Sequence, residues 1–100
     1  MTRDEANRLL AESRAHIDQI DVELVHLLNR RTRAVEAIGS AKEAAGLPVY
    51  EPKREDDVYK NVLTNNGGPL SPEALRRIFE RIMDEMRSLQ KMRREEKGAS

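Results

Sequence analysis

From Arg3 to Ala45, apolar residues recur at the helical spacings of three, four and seven: Leu10, Ile17, Ile20, Leu24, Leu27, Leu28, Val35 and Ile38. That is the spacing of one helical face. The segment has no proline and one glycine, Gly39, and is dominated by Leu, Ala, Glu, Arg and Ile, so it predicts one helix of about 40 residues. A second helix is predicted from Pro52, which suits the first helical position, through Arg54, Val58, Val62 and Leu63 to a stop at Asn65-Asn66-Gly67-Gly68. A third begins at Ser71-Pro72-Glu73, a hydroxyl N-cap followed by proline, and carries Leu75, Ile78, Phe79, Ile82, Met86 and Leu89 at the helical period. Its charged end, Arg93-Arg94-Glu95-Glu96-Lys97, reads as a fraying, solvated tail over residues 91–100. No segment alternates apolar and polar residues between hairpin turns, and no internal repeat is visible. The expected fold is all-α, a single domain over residues 1–100 whose core runs from residue 10 to residue 90.

A helix of about 40 residues rises roughly 60 Å, more than the globule that 100 residues can build. Something beyond the chain's own two shorter helices must cover it, and a second copy is the simplest cover for so small a core. Counted in heptads from Arg14, the seam positions are Arg14, Ile17, Asp21, Leu24, Leu28, Arg31, Val35, Ile38 and Lys42. Ile20 and Leu27 widen the stripe to the breadth of a bundle helix. Arg14, Asp21, Arg31 and Lys42 put ionisable groups on a seam where desolvation is costly unless each charge is paired or meets a ligand.

Two readings of these charges stand open. Long side chains can snorkel to the edge of the stripe, or Asp21 can pair with a cation across an interface. Alternatively, three cations on one seam form an anion site. Arg31 and Lys42 are 11 residues apart, roughly 16 Å of rise, and can reach toward a small dianion between them. Arg14 lies 17 residues before Arg31, roughly 25 Å away along the helix, so on one chain it serves a different place. If two long helices pack antiparallel about a two-fold near Leu24 or Val25, Arg14 of one copy meets the Arg31 to Lys42 stretch of the other. In the third helix Gln90 is either an edge residue or a neutral donor aimed into a polar pocket. Glu55, in the first turn of the second helix, suits the helix dipole as a capping carboxylate.

Composition removes several function classes. The chain has 18 Lys+Arg against 18 Asp+Glu and a formal net charge of zero, so it lacks the basic excess that holds nucleic acid or an anionic membrane. It contains no cysteine, no run near 18 apolar residues and, in MTRDEANR, no signal-peptide layout, so a cytoplasmic setting is expected. His16 and His26, ten residues apart, do not suggest a zinc or haem site.

The ordered set Arg14-x-x-Ile17-Asp18-x-x-Asp21, Leu27-Leu28-Asn29-Arg30-Arg31, Ile38-Gly39-x-x-Lys42, Pro48-Val49-Tyr50-x-Pro52-x-Arg54-Glu55 and Ile78-Phe79 followed by Gln90 closely resembles the all-helical chorismate mutases. The likeness runs from Leu10 to Gln90. It implies an intertwined homodimer of three-helix chains, needing no cofactor and no metal, that converts chorismate to prephenate by a Claisen rearrangement in phenylalanine and tyrosine biosynthesis. By the same resemblance, Arg14 of one protomer and Arg31 of the other clamp the two substrate carboxylates. Lys42 contacts a carboxylate and the ether oxygen, and Gln90 donates to that oxygen from the other side. Glu55 holds the ring hydroxyl, Glu51 sits where the family's backbone contributes to that contact, Arg54 lies beside them, and Ile38 packs on the ring. The chain departs from the pattern at Met86, where several relatives carry a small hydroxyl residue that helps bind a carboxylate.

A pericyclic rearrangement needs no nucleophile, metal or general base. What a protein supplies is restraint of the flexible ether in its reactive conformer, and donors where negative charge grows on the ether oxygen. Other readings of the same residues are a same-fold isochorismate-pyruvate lyase, a mutase for the 4-amino analogue, and a domain that senses chorismate or prephenate for a shikimate-pathway synthase, fused or associated.

Overall fold

A computed structural model describes residues 1–99; Ser100, the last residue of the expected tail, lies outside the described residues. The chain forms three helices, α1 (Arg3–Ala44), α2 (Pro52–Thr64) and α3 (Pro72–Ala99), with no strand among the described residues. It divides into two units, Met1–Ala34 and Val35–Ser100.

The first unit is the N-terminal part of α1. A capping box starts it: the Glu5 N–H donates to Thr2 Oγ1 at 3.1 Å, and the Thr2 N–H donates back to Glu5 Oε2 at 3.3 Å. Asp4 and Glu5 add negative charge where the helix dipole favours it. The apolar stripe expected along this segment is present and bare, with Ile17 53% and Leu24 51% exposed. No residue of α1 is buried within the chain.

The second unit contains the last turns of α1, then α2 and α3. Its core is small, with Val58 of α2 and Met83 of α3 its buried apolar side chains. Val62, Leu63, Leu75, Phe79 and Ile82 are half-buried around them. Arg76 of α3 lies over the Tyr59 ring of α2, 4.0 Å from its centroid, a cation–π contact that joins the two helices. Pro52 stands at the start of α2 as expected. Ser71 caps α3, its Oγ accepting the Ala74 N–H at 3.1 Å. Asn66 closes the intervening loop by donating to Leu70 O at 2.8 Å and accepting the Gly68 N–H at 3.0 Å.

The third helix differs from its sequence expectation at the C-terminal end. The charged segment read as a fraying tail is helical through Ala99. Arg93 reaches Glu36 of α1 at 3.1 Å, and Arg94 is half-buried, so these turns have neighbours to pack against.

How α1 ends decides where the following loop goes. Gly46 has φ +70°, the Leu47 N–H donates to Lys42 O at 2.7 Å, and the Gly46 N–H donates to Glu43 O at 3.2 Å. This is a Schellman termination, with glycine at the one position that must be left-handed. Gly46→Ala is expected to cost about 1 kcal/mol because a Cβ strains that conformation, and urea denaturation of the variant checks it.

Candidate active site

Lys42 occupies the last turn of α1, where a cation also favours the helix dipole. Its side chain is 12% exposed, and its ammonium is held twice: Glu51 Oε1 is 2.7 Å from Nζ, and Nζ donates to Val49 O at 2.9 Å. An ammonium has three donors, so one N–H remains for a ligand. Glu51 is the N-cap residue of α2 but makes no side-chain capping bond, because its carboxylate is turned to Lys42.

Gln90 of α3 lies against α1. Its Nε2 donates weakly to Val35 O at 3.4 Å, leaving the second N–H of the amide for another acceptor. Its side chain occupies the space over Gly39, where an added Cβ would stand 3.4 Å from Gln90 Cγ. Lys42 and Gln90 therefore present a cation and a neutral donor to the same final stretch of α1. A cleft of about 140 Å³ opens beside Gln90, lined also by Glu36, Gly39, Glu43, Arg93 and Arg94. Lys42, Glu51 and Glu55 are not among its walls, so this cleft is not the whole candidate site.

Glu55 does not act as a helix cap. Its carboxylate meets Arg87 of α3: Oε2 is 2.8 Å from Nε, and Oε1 accepts from Nη2 at 3.4 Å. Arg54 is exposed on the first turn of α2, and Met86 is half-buried on α3. Arg14 and Arg31 belong to the first unit, Arg14 exposed and Arg31 half-buried. Ile38 is 48% exposed in the single chain. Among the described residues no group of His, Asp or Glu is placed to hold a metal ion, and no helix is long and apolar enough to cross a membrane.

Two arginines escape the sequence reading. Arg87 lies four residues after Met83 and three before Gln90, at the edge of the apolar face, and its partner Glu55 is 32 residues away in sequence. Arg94 belongs to the segment read as a tail, yet it lines the cleft with Gln90, and its Nη2 is buried with no hydrogen-bond partner among the described residues. Its spacing of four from Gln90 is the signal that places both on one face.

A long first helix followed by two shorter ones, with polar groups gathered at the end of the first, defines an all-helical class of chain. The family model for chorismate mutase type II matches residues 13–91, and the chain belongs to that family. It is 38% identical over 86 residues to the bifunctional chorismate mutase/prephenate dehydratase of Aquifex aeolicus, an alignment covering 82% of this chain and 24% of that protein. The chain thus spans about a quarter of the length of that curated relative. Among solved structures, form II of the chorismate mutase from Thermus thermophilus superposes with a TM-score of 0.80 at 32% identity, over 82% of this chain and 93% of that one. The chorismate mutase from Helicobacter pylori in complex with prephenate gives 0.78 at 31% identity, over 84% and 91% of the respective chains.

The packing of Gln90 over Gly39 yields a paired expectation. Gly39→Ala makes only ordinary contact and should stabilise the chain by about 0.5–1 kcal/mol through helix propensity. Gly39→Leu should displace the Gln90 side chain and destabilise by about 1–3 kcal/mol. Thermal denaturation of the two variants checks both signs.

Proposed function

We propose that two copies of this chain form a cytoplasmic homodimer that rearranges chorismate to prephenate in aromatic amino acid biosynthesis. The observation that carries the reading is the pairing of Lys42 and Gln90: a held, nearly buried ammonium with one N–H to spare, and a carboxamide against the same turns of α1. Membership of the mutase family over residues 13–91 supports it.

In this reading the substrate's two carboxylates are gripped by Arg31 of one copy and Arg14 of the other, planar guanidinium forks suited to carboxylates. The grip holds the enolpyruvyl ether folded over the ring, so the carbon ends that must bond are already close and the entropy of that arrangement is lost at binding. As the C–O bond lengthens, charge grows on the ether oxygen. Lys42 and Gln90 donate to it from opposite sides, and because both are already oriented they stabilise the transition state more than the ground state. Glu55 accepts the ring hydroxyl, with Glu51 and Arg54 beside it. Met86 donates nothing to a carboxylate, which leaves that contact to the arginines and to backbone N–H groups. The dimer is supported by the bare stripe on Met1–Ala34, a row of aliphatic side chains that a second long helix would cover.

Loss of chorismate absorbance, with prephenate identified after acid conversion to phenylpyruvate, tests the activity. Lys42→Ala and Gln90→Ala should each lose about 2.7–4 kcal/mol of transition-state stabilisation, on the order of a hundred- to a thousand-fold in kcat. Asp21→Asn should stay far more active than Lys42→Ala; equal activities of the two would refute the assignment.

The shared site is tested separately. Arg14→Ala and Lys42→Ala homodimers should both be inactive, but co-refolding them in equal parts makes half the dimers mixed, each with one intact site, and about a quarter of wild-type activity should return. No recovery, or a monomer by sedimentation, excludes a site built from two copies.

A further inference from the structure

We propose that Arg87 is the positioning residue for Glu55, setting the carboxylate that receives the substrate's ring hydroxyl; the proposal rests on the reading of Glu55 given above. Glu55 sits in the first turn of α2 with its side chain 21% exposed, and an unrestrained glutamate there would sample several rotamers. Arg87 meets both of its oxygens: Nε lies 2.8 Å from Oε2 as an ion-pair contact without hydrogen-bond alignment, and Nη2 donates to Oε1 at 3.4 Å, so the carboxylate is held against the guanidinium by charge and one long hydrogen bond. Each oxygen has two lone pairs, so the contact leaves one on each for a hydroxyl donor.

Arg87 is itself held on other sides. Its Nη2 donates to Asp84 Oδ1 at 2.6 Å, one turn earlier on α3, and its guanidinium carbon lies 5.3 Å from the centroid of the Tyr50 ring. Nε is shut off from solvent and has no aligned hydrogen-bond acceptor among the described residues, so its hold on Oε2 is electrostatic. Tyr50 directly precedes Glu51, the partner of Lys42. The two glutamates of the candidate site are thus fixed by different cations, Glu51 by Lys42 and Glu55 by Arg87, and the short segment Tyr50-Glu51 touches both. A contact that Glu55 makes to a ring hydroxyl persists from bound substrate to transition state, so its loss should appear in KM and not in kcat.

The experiment is steady-state chorismate kinetics on the full chain for Arg87→Ala, Arg87→Lys, Glu55→Ala and the double variant Arg87→Ala/Glu55→Ala. Arg87→Ala is expected to raise KM about tenfold with kcat changed less than about twofold, and to add nothing further in the Glu55→Ala background. Arg87→Lys, which keeps the charge but not the two-point contact, should recover part of the rise. Arg87→Gln repeats the comparison should the alanine variant not fold. A fall in kcat at constant KM, the mark of a smaller folded fraction, overturns the proposal, as does an unchanged KM or an equal rise in both backgrounds. An unchanged KM in Glu55→Ala alone overturns the reading of Glu55 beneath it, and is distinguishable because Arg87 is intact in that variant.

Discussion

The Lys42 ammonium, pinned between Glu51 and the Val49 carbonyl, is the interaction on which the rest of the candidate site depends. It joins the end of one helix to the start of the next. Because Gly46 turns the chain sharply at the end of α1, the segment from Leu47 to Glu51 returns past the last turn it has just left. Lys42 then fixes that return through one backbone and one side-chain contact. Pro52 begins α2 immediately afterwards, so the direction of α2, and with it the placement of Glu55, follows from where the loop is held. A neutral side chain at position 42 would leave Glu51 half-exposed and unpaired and would remove the donor from the carbonyl of Val49.

The same economy explains why the chain buries so little. Val58 and Met83 are its buried apolar residues, and the row from Ile17 to Leu28 is open to solvent in a single copy. Each fully buried aliphatic side chain is worth about 1.5–3 kcal/mol, so a stripe of this length represents most of the hydrophobic stabilisation the chain has available. In the proposed dimer that stabilisation and the completed site arise together: covering the stripe with a second α1 is also what brings Arg14 to the other copy's Arg31 and Lys42. Folding, association and catalysis then share one interface, and a weakened interface should lower activity through dilution as well as through stability.

Much of this architecture is legible from the residues. The unbroken periodicity from Arg3, the proline at the head of α2 and the Ser-Pro start of α3 mark the helices because capping and propensity are local effects, decided within one turn. The end of α3 departs from the local reading for the opposite reason. Its charged residues are mostly exposed, as a solvated tail would be, but the segment is helical, and Arg93 meets Glu36, a partner 57 positions earlier. Arg87 shows the same limit, since a cation one step off an apolar stripe is indistinguishable from a surface residue until the carboxylate of Glu55 is known to stand beside it. A local rule also misleads at Glu55, where the helix dipole argues for capping while a cation from another helix claims the carboxylate. Tertiary charge pairing outweighs a capping preference because an unpaired half-buried cation is the more costly alternative.

Charge balance offers a reason for this arrangement. In the proposed site Arg31, Arg54, Lys42 and the second copy's Arg14 stand against Glu51 and Glu55, an excess of two positive charges that matches a substrate with two carboxylates. Were Glu55 to draw on one of those four cations for its own orientation, that cation would be divided between the carboxylate and the substrate. Arg87 removes the conflict, because it brings its own counter-charge in Asp84 and satisfies Glu55 from outside the set that meets the ligand. The Lys42–Glu51 pair has no such relief, and its 2.7 Å contact sits on the cation that must also serve the ether oxygen. Glu51 therefore tempers the Lys42 charge while it orients the ammonium. Orientation is the more valuable of the two effects, since a donor fixed in advance stabilises developing charge without having to reorganise as the bond breaks.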